Sequence, residues 1–220
     1  MRLIPTFLML ATIAVTSPVG AADSGSTDTV LRGFYAALSD YYGVPEREVI
    51  IVRERKIRDD EIPVILYLSK QANVRSSTVS DLRLNGASWA DITRHLGLSP
   101  EIFYVPVSRE YGPPYGNAYG HFKNKHKSKW SKIHLRDDDV VNLVNLRFIS
   151  DHYRYSPDKV IELRSAGNNF IVINNKVKHA KKELAEDHKE SDSELRGGDK
   201  KHSAEKHQAK ENKGGKHPDK

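Results

Sequence analysis

The sequence contains no cysteine. Without a thiol, the chain cannot form a disulfide, a thiolate zinc site or a cysteine nucleophile, and it cannot carry a lipid on an N-terminal cysteine. Any folded state must therefore be stabilised by packing, hydrogen bonds and ion pairs alone.

Long apolar runs are also missing, except near the N-terminus. There, one arginine precedes an apolar run over residues 3–15, and small residues follow it. The run falls short of the roughly 20 residues that span a bilayer, so it predicts a signal peptide over residues 1–22, cleaved after Ala21 or Ala22, with no transmembrane segment in the mature protein. An exported chain without disulfides is typical of bacterial periplasmic or secreted proteins.

Sequence motifs of catalysis and cofactor binding are lacking too. There is no Gly-x-Ser-x-Gly, His-Glu-x-x-His, phosphate-binding glycine loop or EF-hand loop. His121, His126 and His134 precede the aspartates at 137–139, but their spacings of five and eight residues differ from the one-turn spacing of helical metal ligands. We therefore predict no catalytic residue, no metal site and no cofactor. The alternative is an envelope hydrolase that uses one of these histidines.

Most of the chain has no excess of positive charge. The excess lies in one segment. The formal net charge of the whole chain is +6. Residues 105–136 contain seven basic residues and one acidic residue, Glu110, which gives +6 for this segment and zero for the remainder. Electrostatic attraction to an acidic partner is therefore expected from residues 105–136.

Three blocks of the sequence resemble one another, at residues 39–53, 69–83 and 150–164. Serine, valine and arginine recur at matching positions in these blocks, as Ser39, Val49 and Arg53, as Ser69, Val79 and Arg83, and as Ser150, Val160 and Arg164. Apolar residues in and around the blocks follow the three- and four-residue spacing of amphipathic helices. The pattern predicts three related helix pairs that stack on one shared core.

The predicted fold is mostly α-helical, with one small domain over residues 28–177. We expect Gly43, Gly86 and Gly167 to end helices, and Ser88 to cap a short helix together with Asp91.

The ends of the domain are less regular in composition. Residues 170–173 are apolar and β-branched, but their alignment with 89–92 favours a helix over a strand. Residues 23–27 and the tail at 178–220 are predicted to be disordered, because from residue 179 onward the chain has eleven basic residues, ten acidic residues and no aromatic residue.

The segment 105–136 is the best candidate for a binding site. Its glycines and paired prolines oppose regular structure, and aromatic residues alternate with lysines. Cationic side chains beside aromatic faces suit polyanions, sugars or bases. We predict an irregular basic insertion that binds an anionic envelope polymer or an envelope protein through Tyr115, Tyr119, Lys123, Lys125, Lys127 and Trp130. The alternative is an insertion whose tyrosines only pack it onto the helices of a structural scaffold.

Residues 74–98 also fit a DNA-binding helix-turn-helix, with Gly86 in the turn. The second helix would offer only Arg94 and His95 to a DNA groove, and an exported protein has little access to genomic DNA. The sequence therefore argues against nucleic acid as a partner, and it leaves the oligomeric state open.

Four stretches of this chain resemble a set of uncharacterised exported bacterial proteins. They are Gly86-Ala-Ser-Trp-Ala-Asp-Ile, Pro100-Glu-Ile-Phe-Tyr-Val-Pro106, Gly112-Pro-Pro-Tyr-Gly-Asn-Ala-Tyr-Gly120 and Val141-Asn-Leu-Val-Asn-Leu-Arg-Phe. The similarity covers roughly residues 60–175 and leaves out both ends of the chain. It implies a bacterial envelope setting and one folded unit, and it implies no particular activity.

Overall fold

The computed structural model describes residues 24–186, which are mostly helical and contain no strand. The predicted signal peptide and residues 187–220 of the predicted tail lie outside the described residues. The α-helices are α1 (Ser24–Tyr42), α2 (Glu46–Glu54), α3 (Ile62–Ala72), α4 (Ser76–Leu84), α5 (Trp89–His95), α6 (Gly116–Lys123), α7 (Asp137–Tyr153), α8 (Pro157–Ser165) and α9 (170–186), with 3-10 helices at Pro100–Phe103 and Lys127–Lys132. The prediction of a mostly α-helical small domain is confirmed.

Helices α3 and α7 form the centre of the domain. Residues 62–69 of α3 are all buried, and α7 is buried over 139–146 and 148–150. A helix that is enclosed on every side belongs in an interior, and the other helices pack around these two. Helix α3 contacts α1, α2, α4 and α7, while α7 also contacts α1, α5 and α8. None of the described helices is both long and apolar enough to cross a bilayer.

Helices α2, α4 and α8 share one local construction. Each has nine residues and buries a valine that is 0% exposed, and these are the valines that the sequence blocks align. A residue with positive φ lies before and after each helix, at Gly43 and Lys56, at Asn73 and Gly86, and at Arg154 and Gly167. The predicted helix ends at the three glycines are therefore confirmed, whereas a common origin of the blocks stays a prediction.

Helix α5 begins at the predicted cap. The Ser88 hydroxyl oxygen accepts a hydrogen bond from the Asp91 backbone N–H at 3.1 Å, and the hydroxyl donates to the Asp91 carboxylate at 2.6 Å. Trp89 and Ile92 bury the first turn of α5, as Phe170 and Ile173 bury the first turn of α9. The prediction of a helix rather than a strand at 170–173 is confirmed.

Helices extend beyond both predicted limits of the domain. Helix α1 begins at Ser24, inside the segment 23–27 that was predicted to be disordered, and α9 continues to residue 186. Residues 178–186 bury little, but alanine, lysine and glutamate have high helix propensity and extend a helix that the core has already nucleated. Lys182 and Glu186 add a one-turn ion pair at 3.6 Å.

Arg83, at the end of α4, joins the starts of α3, α5 and α7. Its guanidinium contacts the carboxylates of Glu61 at 2.5 Å and Asp137 at 2.6 Å, donates to the Ala87 carbonyl at 3.1 Å, and lies 4.5 Å from the ring centroid of Trp89. Asp137 in turn accepts the Trp89 backbone N–H at 2.8 Å. Glu61 is 6% exposed, so Arg83 neutralises a carboxylate that water hardly reaches.

We expect Arg83→Gln to lower the free energy of unfolding by about 3 kcal/mol or more, because the Glu61 carboxylate would stay buried without its cation. Arg94→Gln is the matched control, since it removes an exposed pair with Asp91 and is expected to cost at most about 1 kcal/mol. Urea unfolding followed by circular dichroism gives both values. Equal losses in the two variants would contradict a central role for Arg83.

Candidate functional site

The basic segment 105–136 is packed onto the domain and is partly helical. It contains α6 and the 3-10 helix Lys127–Lys132, so the prediction of irregular structure is wrong for these two stretches. Ala118 and Phe122, four residues apart, are 1% and 2% exposed. Burying this stripe against the core stabilises α6 in spite of its two glycines.

Three aromatic rings, two from this segment and one from the residue before it, pack against one another. The ring centroids of Tyr104, Phe122 and Trp130 lie 4.7–5.1 Å from one another. The indole N–H of Trp130 donates to the backbone carbonyls of Phe122 and Lys125, both at 3.0 Å. Because Trp130 makes these bonds, its ring is held in one orientation beside the end of α6.

The three rings line a pocket of about 290 Å³, which we call the aromatic pocket. Its other lining residues include Val107, Arg109, Glu110, Tyr111, Tyr119 and Lys123. Small-molecule sites commonly have volumes of about 300–1,000 Å³, so this one is at the lower limit and suits a single ring or head group.

Helix α7 holds one wall of the aromatic pocket in place. Arg147 donates to the backbone carbonyls of Ile102 at 3.2 Å and Tyr104 at 2.7 Å. Tyr67 of α3 also donates to the Ile102 carbonyl, at 2.5 Å. The strongly held backbone at 102–104 therefore fixes the Tyr104 ring relative to the two central helices.

Gly116 sets the distance between α6 and the opposite wall. A Cβ atom at this position would lie 2.8 Å from the Tyr111 carbonyl oxygen, closer than real Cβ atoms approach. The absence of a side chain therefore lets α6 approach the backbone at Tyr111 and gives the aromatic pocket its present width.

The rim of the aromatic pocket combines both signs of charge. Arg109 donates to the Tyr111 hydroxyl at 3.0 Å and forms an ion pair with Glu162 of α8. On the facing side, Lys123 forms an ion pair with Glu110. These groups offer hydrogen-bond donors and acceptors to a ligand that carries hydroxyl groups.

Four lysines beside the aromatic pocket form what we call the basic patch, namely Lys125, Lys127, Lys129 and Lys132. Among residues 24–186, none of the four ammonium groups pairs with a carboxylate; the ion pairs of this segment use Arg109, Lys123 and Arg136. The Lys127 ammonium lies 5.8 Å from the Trp130 ring centroid, so the basic patch adjoins the aromatic pocket. Its charge is available to attract an anion.

The structure brings most of the predicted contact residues together. Tyr119, Lys123 and Trp130 line the aromatic pocket, and Lys125 and Lys127 belong to the basic patch. Tyr115 is 0% exposed, so its prediction as a ligand contact is wrong. It precedes α6 on the side that faces the core, whereas Tyr119 keeps part of its surface at the pocket.

Sequence reasoning missed several residues of the aromatic pocket. The predicted contacts do not include Arg109, Tyr111 and Phe122, which lie inside the segment 105–136, or Tyr104, which lies one residue before it. The only sequence feature that points to Tyr104 is its place beside Phe103 between Pro100 and Pro106, where the chain is already rich in aromatic residues and turns.

The three histidines of the hydrolase alternative do not form a catalytic pair. His121, His126 and His134 are exposed, and within the described residues none hydrogen-bonds or ion-pairs with a carboxylate. His126 instead places its Nδ1 atom 3.0 Å from the Ser128 hydroxyl. Residues 24–186 also contain no group of three or more histidine, cysteine, aspartate or glutamate side chains that could hold a metal ion.

Comparisons of this chain with protein-family models, with curated proteins and with solved structures found no match. Membership of the uncharacterised exported proteins stays a prediction. Function is therefore inferred from the geometry of the aromatic pocket and the basic patch.

Replacing Tyr115 by phenylalanine should raise the free energy of unfolding by about 1 kcal/mol, because its hydroxyl is buried and finds no hydrogen-bond partner among residues 24–186. Tyr119→Phe is the matched comparison: it removes the hydrogen bond from the hydroxyl to the Val105 carbonyl, 2.8 Å long, and should cost about 1 kcal/mol. Urea unfolding at neutral pH measures both. A loss of stability in Tyr115→Phe would mean that its hydroxyl finds a partner in solution.

The same variant should become relatively more stable at alkaline pH. Burial raises the pKa of Tyr115, whereas a tyrosine in the unfolded chain ionises near pH 10. Above that pH the unfolded state binds fewer protons than the folded state, so stability falls as pH rises. We expect the advantage of Tyr115→Phe over the wild type to grow by about 1.4 kcal/mol between pH 9 and pH 11 in urea unfolding. A constant difference would contradict the burial of a protonated Tyr115.

Proposed function

We propose that the protein is exported from a bacterial cell and binds an anionic polysaccharide of the envelope, without catalysing a reaction on it. The observation that carries this proposal is the position of the basic patch directly beside the aromatic pocket. A sugar ring presents an apolar face that packs on aromatic side chains, and its acidic substituents are attracted to lysines.

The composition of the aromatic pocket supports a single sugar residue as its occupant. Its volume of about 290 Å³ suits one ring, and the aromatic residues Tyr104 and Trp130 in its lining offer apolar surface. The paired charges of Arg109 with Glu162 and of Lys123 with Glu110 provide donors and acceptors for ring hydroxyls. Because each of these pairs is close to neutral, the pocket itself selects for hydroxyl groups more than for charge.

The basic patch supports a polymer rather than a small anion as the partner. Lysine is a flexible point charge, and it favours a negatively charged surface or chain over one fixed bidentate geometry. The four lysines lie within eight residues of the chain. The distances between their charges are therefore comparable to the screening length of about 10 Å at 0.1 M salt. Sugar residues on either side of the one in the aromatic pocket can therefore contact the basic patch.

The test uses polygalacturonate, which combines sugar rings with carboxylates, and follows binding by biolayer interferometry. A variant with Lys125, Lys127, Lys129 and Lys132 all replaced by glutamine should bind at least about tenfold more weakly at low salt, because four ion contacts are removed. The control carries the same change at four exposed basic residues elsewhere, Arg32, Arg47, Lys178 and Lys181, and should bind like the wild type.

Two further polymers separate the contribution of charge from that of the ring. Dextran carries rings without acidic groups, and polyphosphate carries charge without rings, so each should bind more weakly than polygalacturonate. Affinity for polygalacturonate should also fall steeply as salt is added. Binding that is independent of salt, or equal loss in the two quadruple variants, would contradict the proposal.

A further inference from the structure

A second pocket of about 340 Å³ lies where the starts of α6 and α7 meet the end of α8. We infer that this pocket binds the oxyanion group of a small ligand, either a carboxylate or a phosphate. Three arginines line it, Arg58, Arg136 and Arg164, together with the amides Asn117 and Asn142. We call it the arginine pocket, and it shares no lining residue with the aromatic pocket.

Among the described residues, Arg164 forms no ion pair with a carboxylate. Its Nε donates to the Asn142 side-chain oxygen and its Nη1 to the Asn168 carbonyl, both at 3.2 Å, and its guanidinium lies 5.0 Å from the Phe170 ring centroid. The aligned residue Arg83 has a similar carbonyl and aromatic contact but is matched by two carboxylates. Arg164 has neutral partners only, and its Nη2 group has no hydrogen-bond partner among the described residues.

Asn142 supplies a second donor that lacks an acceptor. The residue is 4% exposed and lines the arginine pocket, and its side-chain oxygen is already occupied by Arg164. That hydrogen bond orients the amide, and the Nδ2 group has no partner within the described chain. Because Asn142 lines the arginine pocket, an acceptor bound there can receive a hydrogen bond from the Nδ2 donor.

The other charged residues favour an anion of low charge. Arg58 is matched by Asp60 through two hydrogen bonds of 3.0 and 2.7 Å, so this pair is close to neutral. Arg136 contacts Asp139 through its Nε alone, at 3.5 Å, which leaves both Nη groups available. The three arginines and two aspartates of the lining give a formal charge of +1, and Asp139, which pairs with Arg136 from outside the lining, offsets it.

These donors match the chemistry of an oxyanion. A guanidinium presents parallel N–H groups that pair with two oxygens of a carboxylate or phosphate. Arg164 is held by its neighbours before any ligand arrives, so little conformational freedom is lost on binding. A planar carboxylate and a tetrahedral phosphate would use the same donors, so each is titrated separately.

The test is a titration of the full-length protein with sodium phosphate and, separately, with sodium acetate, at constant ionic strength, followed by ¹⁵N NMR. Saturable shifts are expected at the Asn142 Nδ2 and Arg164 Nε signals. Two variants remove donors without changing buried volume: Arg136→Gln, at an exposed side chain, and Asn142→Asp, which keeps the acceptor for Arg164. Each should weaken binding roughly tenfold or more, because a charge-assisted or buried donor is lost. Arg47→Gln, an equal change of charge on α2, should bind like the wild type.

Saturation by phosphate alone or by acetate alone would support the site and identify its preferred geometry. If Asn142→Asp fails to fold, Arg136→Gln still decides the outcome. The inference is overturned if neither anion produces saturable shifts, if binding persists unchanged in the folded variants, or if Arg47→Gln weakens it equally. None of these results depends on the aromatic pocket, so they neither support nor contradict the polysaccharide proposal.

Discussion

The carboxylate of Glu61 is buried at the start of α3, and a carboxylate in that position requires a cation within reach. Arg83 provides it and at the same time contacts Asp137 at the start of α7. Acidic groups at these two helix starts also interact favourably with the positive ends of the helix dipoles. One guanidinium therefore links the starts of the two central helices, which the other helices surround.

Helix α7 positions residues of both pockets. Near its middle, Arg147 holds the backbone of residues 102–104 and so positions the Tyr104 ring in the aromatic pocket. One turn and a little more toward its start, Asn142 accepts a hydrogen bond from Arg164 and orients the donors of the arginine pocket. Neither pocket is formed by a free loop. Each has at least one wall fixed by a side chain of the most enclosed part of the fold.

The helices were predictable because their causes are local. Glycine at a position of positive φ, serine at a cap and apolar spacing within one helix can each be read over a few residues, as at Gly86 and Ser88. The pockets depend instead on residues distant in sequence. Tyr115 and Tyr119 have similar neighbours in the chain, yet one is in the core and the other lines the aromatic pocket, and composition does not distinguish them.

Helix α6 is the wall that the two pockets have in common, although they share no residue. Gly116 and Tyr119 lie on the side of the aromatic pocket, and Asn117 lies on the side of the arginine pocket. The close approach of Gly116 to the Tyr111 carbonyl fixes the position of α6 relative to the backbone at Tyr111. Packing accounts for Gly116 and for the buried Tyr115. The ammonium groups of the basic patch make weaker contacts: Lys125 lies 3.5 Å from the Lys132 carbonyl, and Lys127 lies 5.8 Å from the Trp130 ring centroid. Packing therefore explains the buried residues of this segment, whereas the four ammonium groups of the basic patch have no carboxylate partner among residues 24–186.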